Sequence, residues 1–291
     1  MGTLFVTVAA VLWGLMGPVT RIALAEGLTP LEIAFWRGML AGGLFAVHAV
    51  VIQRPWLQKR DVPMVIAFGL TGVAGLLATY SLAVEAGGAA LAAILLYTAP
   101  VWVALFSVLF LAERMTGRKL AALALATLGV AGIALSTGGG SIRLTAAGLG
   151  WGLASGLAYA LYYLFGKRYF ERYATATLFM YALPAAALLI LPAVRFHPKS
   201  AAAWGALAFL AIVPTYTSYV FYSAGLKRIE ATRAATVATI EPVVAAFAAF
   251  LMWNERLSAA GYACAALVLF GVLLTAAADR PAETATEPPH P

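Results

Sequence analysis

Charged side chains are scarce in this sequence. Only 11% of its 291 residues are Asp, Glu, Lys or Arg, whereas 63% are hydrophobic, and the mean hydropathy is +0.90. Soluble globular domains carry about 25% charged residues. The composition therefore excludes an ordinary soluble domain and predicts that lipid, rather than water, surrounds most of the chain.

Cysteine and catalytic motifs are also lacking. Cys264 is the only cysteine, which excludes an intrachain disulfide and a cysteine metal site. The sequence contains no HExxH motif, Walker loop, GxGxxG after a strand, CxxC pair or GxSxG turn. No pattern places a nucleophile beside a base and an orienting group. We therefore predict no catalytic residue, no metal site, no cofactor and no enzyme activity.

Long apolar runs are abundant instead. A helix of about 17 to 25 apolar residues crosses a hydrocarbon core, and these runs lack the alternation of a lipid-facing barrel strand. The predicted fold class is an all-α integral membrane protein with ten transmembrane helices. The approximate spans are Thr3–Leu24, Leu31–Ile52, Val62–Val84, Ala89–Leu111, Leu120–Ser136, Ala147–Phe165, Ala174–Val194, Ala201–Gly225, Ala231–Trp253 and Ala259–Ala278.

The Lys and Arg residues are unevenly distributed among the predicted linkers. The linkers after helices 2, 4, 6 and 8, together with the C-terminal tail, contain twelve of them, and the linkers on the other side contain four. The twelve are Arg54, Lys59, Arg60, Arg114, Arg118, Lys119, Lys167, Arg168, Arg172, Lys227, Arg228 and Arg280. The positive-inside rule then predicts cytoplasmic N- and C-termini. Orientation also accounts for the net charge of +7, so we predict the lipid bilayer as a partner and no nucleic acid.

The second half of the sequence repeats the first. Matching residues recur 142 positions later, namely Tyr80-Ser81 at Tyr222-Ser223, Pro100 at Pro242 and Glu113-Arg114 at Glu255-Arg256. The front of each half matches at a slightly smaller offset, Trp13-Gly14 against Trp151-Gly152. Because each copy holds five helices, an odd number, the second copy enters the membrane inverted. We predict a first repeat over residues 1–138, an inverted second repeat over residues 146–278 and a disordered cytoplasmic tail over residues 279–291.

Two ionisable residues lie deep within predicted helices. Arg37 is about two turns inside helix 2, where a charge is costly and indicates either an interior cavity or a structural ion pair or snorkelling side chain. Glu241 is near the middle of helix 9, and its counterpart in the first repeat, Ala99, is not ionisable. Three roles stay open for Glu241: proton coupling, substrate contact, or an ion pair with Arg37 across the bundle.

Aromatic residues are the other candidates for the interior. We predict that the substrate path is lined by Trp13, Tyr80, Tyr97, Tyr159, Tyr163, Tyr216, Tyr219 and Tyr222. The alternative is packing, in which the tyrosine hydroxyls bond to neighbouring helices. Pro100 and Pro242 lie at equivalent depths and are expected to kink helices 4 and 9, which makes them candidate hinges.

Several of these features together resemble a known family. They are Trp13-Gly14, Arg37, the Ala-rich run to Pro100, Glu113-Arg114, Gly129 and Gly132, with their second-copy equivalents Trp151-Gly152, Glu241-Pro242, Glu255-Arg256 and Gly271. This set resembles the EamA-type repeat of the drug/metabolite transporter superfamily, although helix 7 lacks an arginine equivalent to Arg37. The resemblance implies a ten-helix carrier of the bacterial inner membrane that exports small metabolites or drugs. The aromatic residues make it similar to aromatic amino-acid exporters.

Three hypotheses follow for the function. The first is a secondary transporter that exports amino acids, aromatic or apolar ones, by alternating access; Arg37 would attract the carboxylate and Glu241 would tune affinity or couple protons. The second is an exporter of cationic drugs or quaternary amines with Glu241 as counter-ion. The third is a non-transporting membrane scaffold or accessory subunit. A small-molecule substrate is the expected partner, proton coupling is possible, and the sequence leaves the oligomeric state open.

Overall fold

Helices make up the regular structure of the chain. The computed structural model describes residues 1–52, 54, 56–137 and 142–277, and no strand occurs among them. The all-α class is therefore confirmed, whereas the predicted tail lies outside the described residues. The helical segments are α1 (Gly2–Ala25), α2 (Pro30–Val51), α3 (Val62–Gly87), α4 (Ala89–Phe110), α5 (Gly117–Thr137), α6 (Ala146–Tyr169), α7 (Thr175–Ala193), α8 (Ala201–Leu226), α9 (Ala231–Trp253) and α10 (Ala259–Ala277).

Most of these segments can cross a membrane. Among the described residues, eight helices are long and apolar enough by length and composition. The apolar part of α10 is shorter, at Ala259–Thr275. α6 is not among the eight, because it is rich in glycine and tyrosine and ends with Lys167 and Arg168. The chain is a multi-pass membrane protein, and the count of ten crossings stays a prediction.

Side-chain caps define the starts of five helices, including α5 at Thr116 and α10 at Ser258. Thr29 accepts a hydrogen bond from the backbone N–H of Glu32 at 3.2 Å, and Pro30 supplies the first helical residue of α2. Thr145 and Ser200 cap α6 and α8 in the same way. Each cap satisfies a backbone donor that the helix itself leaves unpaired, so the helix starts at a defined residue.

Contacts between linkers divide the bundle into two ends. At one end, Arg172 pairs with Asp61 at 3.0 Å and Lys119 pairs with Glu230 at 2.5 Å. We call this end the basic face; it holds the linkers that follow α2, α4, α6 and α8. The linkers that follow the odd-numbered helices meet at the opposite face, where the Ser200 hydroxyl donates to the Glu26 carboxylate at 2.5 Å. The chain thus passes back and forth between the two faces.

Helix packing follows the sequence repeat. α2 packs against α7, and α5 packs against α10, so corresponding helices of the two halves meet. α1 packs against α8 and α9, just as α6 packs against α3 and α4. Helices at equivalent positions in the two halves of the chain therefore make equivalent contacts.

Backbone interruptions occur at matching depths in the two halves. α3 and α8 contain π-helical turns at Gly69–Gly75 and Ile212–Thr217. α4 and α9 are interrupted at residues 97–98 and 239–240, and Pro100 and Pro242 follow within the first two residues of the next helical stretch. π-turns are frequent at functional sites, and each interruption frees backbone groups near the middle of a helix. The interruptions lie where kinks were expected; the hinge role of the prolines stays a prediction.

Candidate functional site

A cluster of aromatic side chains fills the space between α1, α6 and α8. The Trp13 ring lies 5.2 Å from the ring of Tyr222 and 6.2 Å from that of Tyr219. Tyr163 is 5.5 Å from Tyr222 and perpendicular to it. Such tilted and edge-to-face arrangements are the preferred geometries of aromatic pairs. Four of the predicted lining residues therefore meet in one cluster, which we call the aromatic cluster.

Tyr162 also belongs to the aromatic cluster, although sequence analysis did not select it. It is buried, and its ring lies 5.4 Å from Tyr222 and 5.7 Å from Tyr219. Its position three residues after Tyr159 was the available signal, because residues three and four apart share a helix face. The hydroxyl of Tyr222 is buried and has no hydrogen-bond partner among the described residues. An unpaired buried hydroxyl costs about 1–3 kcal/mol, so a water or a polar ligand group would be stabilised there.

Glu241 lies beside this cluster and is surrounded by tyrosines. Its half-buried carboxylate interacts with the hydroxyl groups of Tyr159 and Tyr97, and Tyr80 lies within electrostatic range. The hydroxyl of Tyr163 donates to that of Tyr159 at 3.5 Å, which links the carboxylate to the aromatic cluster. These residues come from α3, α4, α6 and α9, so both halves of the chain contribute.

The helix interruption explains how a carboxylate is tolerated at this depth. Glu241 is the first residue of the second helical stretch of α9, Glu241–Trp253. A helix N-terminus carries partial positive charge and stabilises an adjacent carboxylate. Gly14 permits the close approach of α1, because a Cβ there would lie 2.6 Å from Cβ of Val244 and 2.9 Å from the backbone oxygen of Glu241. Backbone geometry, rather than a cation, therefore supports Glu241.

Arg37 lies on α2, at the edge of the aromatic cluster. Its Nη1 donates to the Met16 sulfur at 2.8 Å, and its guanidinium lies within electrostatic range of the Tyr219 hydroxyl. Among the described residues, Arg37 forms no ion pair within 4.0 Å of Glu241 or any other carboxylate. The alternative of an Arg37–Glu241 pair is therefore not formed in this structure, and both charges stay available to a ligand.

Tyr216 does not join the aromatic cluster. Its hydroxyl hydrogen-bonds with Nδ1 of His48 at 3.0 Å, and its ring packs 4.7 Å from Phe45. The two partners are on α2, so Tyr216 makes the packing contact that was the alternative to lining the path. The helical spacing was correct, but the rotation of α8 turns Tyr216 towards α2 and Tyr219 and Tyr222 towards α1 and α6.

The space beside Glu241 is small. The pocket lined by Tyr97, Tyr159, Tyr163 and Thr239 has a volume of about 10 Å³, roughly the space of one water-sized probe. The sequence predicts that these aromatic residues line a substrate path. The rings pack against one another instead, so in this conformation the pocket accommodates a water molecule rather than an amino acid.

A helical bundle with buried charges beside interrupted helices has the architecture of a secondary transporter. The EamA-like transporter family matches residues 1–135 and again residues 146–277. The chain belongs to this family, which confirms the resemblance noted in the sequence, and it is a membrane transporter.

Individual relatives agree with this assignment. An uncharacterized transporter of Archaeoglobus fulgidus is 28% identical over 90% of this chain and 94% of its own length. A probable terminal-alkyne amino-acid exporter of Streptantibioticus cattleyicolor is 28% identical, covering 91% of this chain and 89% of its own. An uncharacterized inner membrane transporter of Salmonella typhimurium is 25% identical, covering 94% of both chains. A crystal structure with 19% identity superposes with a TM-score of 0.83 over 95% of this chain and 96% of its own, which supports the fold.

Proposed function

We propose that the protein is a secondary transporter that exports amino acids with aromatic or apolar side chains from the bacterial cytoplasm by alternating access. The observation that carries this proposal is a carboxylate and a guanidinium that are unpaired with each other and that both border the aromatic cluster. Arg37 binds the substrate carboxylate, Glu241 binds the ammonium group, and the aromatic cluster packs against the side chain. The Streptantibioticus relative, a probable terminal-alkyne amino-acid exporter, supports the same substrate class.

The proposed site residues are those that the sequence selected, with two changes. Trp13, Arg37, Tyr80, Tyr97, Tyr159, Tyr163, Tyr219, Tyr222 and Glu241 remain, Tyr162 is added and Tyr216 is assigned to packing. Pro100 and Pro242 remain the proposed hinges, because the helix interruptions beside them are the points where α4 and α9 bend at least cost.

The proposed architecture is two inverted repeats of five transmembrane helices, residues 1–138 and 146–278. The separate family matches to the two halves support it, as do the equivalent helix contacts and the paired interruptions. The excess of Lys and Arg at the basic face supports its placement in the cytoplasm, together with both termini, in the bacterial inner membrane.

Alternating access in such a repeat requires a contact that forms at one face at a time. At the basic face, the Glu113 carboxylate accepts hydrogen bonds from the backbone N–H groups of Ala231 at 2.6 Å and Thr232 at 3.2 Å, at the start of α9. Its counterpart Glu255 pairs with Arg21 at the opposite face, although the equivalent partner is the start of α4 at Ala89. We infer that Glu113 holds the basic face closed here and that Glu255 caps α4 when the opposite face closes.

The transport proposal is tested with the purified protein in proteoliposomes. We expect uptake of labelled phenylalanine or leucine, and loss of uptake in Arg37→Gln. Arg195→Gln, an exposed linker arginine outside the site, is the matched control. Transport that is unchanged by Arg37→Gln would remove the proposed carboxylate site.

A second candidate function is export of cationic drugs or quaternary amines. Glu241 favours it, because the carboxylate has tyrosine neighbours and no ion-pair partner among the described residues. The two candidates differ in the need for Arg37. A quaternary amine would be transported by Arg37→Gln and not by Glu241→Gln, whereas an amino acid requires both residues.

A further inference from the structure

A second cavity opens at the basic face and has a volume of about 540 Å³. It shares no lining residue with the aromatic cluster. Five cations line it, namely Lys119, Lys167, Lys227, Arg228 and Arg233, whereas Glu230 is the one carboxylate among the described lining residues. A concave surface with walls of one charge sign concentrates ions of the other sign.

Two of the five cations are already engaged in holding the helices together. The Lys119 ammonium pairs with Glu230 at 2.5 Å. The Lys167 ammonium donates to the backbone oxygens of Leu226 at 3.0 Å and Ile229 at 2.9 Å, which fastens α6 to the end of α8. The cavity wall is therefore a fixed structure built from α5, α6 and the linker between α8 and α9.

Lys227 and Arg228 are less well compensated, although the Glu171 carboxylate lies within electrostatic range of Lys227. Neither forms an ion pair among the described residues, and Arg228 donates to the backbone oxygen of Ala224 at 2.5 Å. Partial desolvation and the neighbouring guanidinium lower the pKa of Lys227. The two adjacent cations repel each other beside a cavity, and a bound anion would relieve that repulsion.

A buried hydroxyl also lines this cavity. Thr232, in the first turn of α9, is 2% exposed, and its Oγ1 has no hydrogen-bond partner among the described residues. Its backbone N–H is occupied by Glu113 at 3.2 Å, so the hydroxyl is the donor left for a ligand. Lysine, arginine and threonine donors around one cavity are the groups that bind phosphate oxygens.

We propose that this cavity binds a phosphate group, supplied by an anionic lipid headgroup or by free phosphate. The site is at the end of the bundle, where basic pockets between transmembrane helices meet lipid headgroups. A bound phosphate would bridge the linker at Lys227 to α9 at Thr232, close to the Glu113 contact, and would stabilise the closed basic face. This inference does not depend on the identity of the transported substrate.

The test measures how each ligand changes the thermal unfolding midpoint (Tm) of the full-length protein in a neutral detergent. Tryptophan fluorescence monitors the unfolding. Phosphatidylglycerol, phosphatidylcholine and inorganic phosphate are titrated separately at constant ionic strength. We expect a rise in Tm with phosphatidylglycerol and none with phosphatidylcholine. An equal rise with inorganic phosphate identifies free phosphate as a sufficient ligand, and a rise with the lipid alone identifies the headgroup.

Variants test whether the rise in Tm comes from binding at this cavity. Removing two cations in Lys227→Gln/Arg228→Gln should raise the apparent Kd about thirtyfold, and Thr232→Val should raise it about fivefold because one hydrogen bond is lost. The matched control is Lys59→Gln/Arg60→Gln, an adjacent and exposed pair on the same face but outside the cavity. The absence of any Tm rise with either phosphate source, or equal weakening by the control pair, would overturn the proposal.

Discussion

At the scale of single residues, Glu241 is the most informative side chain. Its counterpart Ala99 shows that the repeat does not require a carboxylate at this depth. The carboxylate is held by the Tyr97 and Tyr159 hydroxyls and by the N-terminus of a helical stretch. This arrangement supports a charge without neutralising it, so a cationic group of the substrate remains attracted to it.

Glu241→Gln keeps the shape of the side chain and removes its charge. A hydrogen bond to a charged group contributes about 1.5–3 kcal/mol, so we expect the transport KM to rise at least about tenfold while the Tm stays within a few degrees. Glu171→Gln, in an exposed linker, should leave transport unchanged. Wild-type transport by Glu241→Gln at low substrate concentration would exclude Glu241 from the site.

Sequence alone identified most members of the aromatic cluster and both interior charges, because a polar or charged residue in an apolar run stands out. It also selected Tyr216, which packs against α2, and it omitted Tyr162, which lies in the cluster, because both have the helical spacing of the cluster members. The difference of a fraction of a turn in helix rotation decides which ring faces the interior, and periodicity does not fix that rotation.

At the scale of helices, two features matter most: the close approach of α1 to α9, and the contacts that Glu113 and Glu255 make at opposite faces. The contact of α1 with α9 depends on Gly14, where an added Cβ would lie 2.6 Å from Val244. Gly17, one turn away, has no atom within 4 Å of an added Cβ. The two glycines share a helix but differ in their surroundings.

We therefore expect opposite effects of the same substitution at these two positions. Gly14→Ala should lower stability by about 1–3 kcal/mol, because overpacking forces α1 away from α9. Gly17→Ala should be neutral or stabilising, since alanine favours a helix over glycine by about 1 kcal/mol. Thermal unfolding in detergent measures both. Equal Tm values for the two variants would mean that α1 and α9 are not in close contact.

Loss of the Glu113 contact and loss of the Glu255 contact should have opposite effects on how accessible each face of the bundle is to a thiol reagent. In a Cys264→Ser background, Ala231→Cys reports the basic face and Ala89→Cys the opposite face. Glu113→Gln weakens a helix cap worth about 1 kcal/mol, so labelling of Ala231→Cys should rise about fivefold. Glu255→Gln should lower it and raise labelling of Ala89→Cys.

Labelling with a membrane-impermeant thiol reagent in right-side-out and inside-out vesicles measures this exchange. If both glutamate variants change labelling in the same direction, they act on general stability and the exchange model is wrong. Glu85→Gln, at an exposed position in the last turn of α3 at the opposite face, should change neither reporter.

At the scale of the whole molecule, two halves match one family, and the proposed site takes residues from both. Residues 231–239 are all buried, whereas their counterparts 89–97 are mostly half-buried. The two halves therefore differ in conformation although their sequences match. This asymmetry is what an inverted repeat requires if one face is closed while the other is open.

The predicted orientation of the chain in the membrane is directly testable. A phosphatase that is active only outside the cytoplasm should be inactive when fused after Arg118 and active when fused after Arg143. Arg118 lies in the first turn of α5 and Arg143 in the linker after it, and the twelve basic residues predict that the first fusion point is cytoplasmic. Activity in the reverse pattern would invert the proposed topology and the proposed direction of transport.

The sequence by itself determined the membrane class, the all-α fold and the family, because apolar length and characteristic residues are local properties of the chain; the ten spans and the inverted repeat stay predictions. Tertiary structure decided which rings meet, that Glu113 caps α9, that Arg37 and Glu241 stay apart, and that a basic cavity forms between four helices. Those features depend on the rotation and distance of helices that are far apart in sequence, and only packing fixes both.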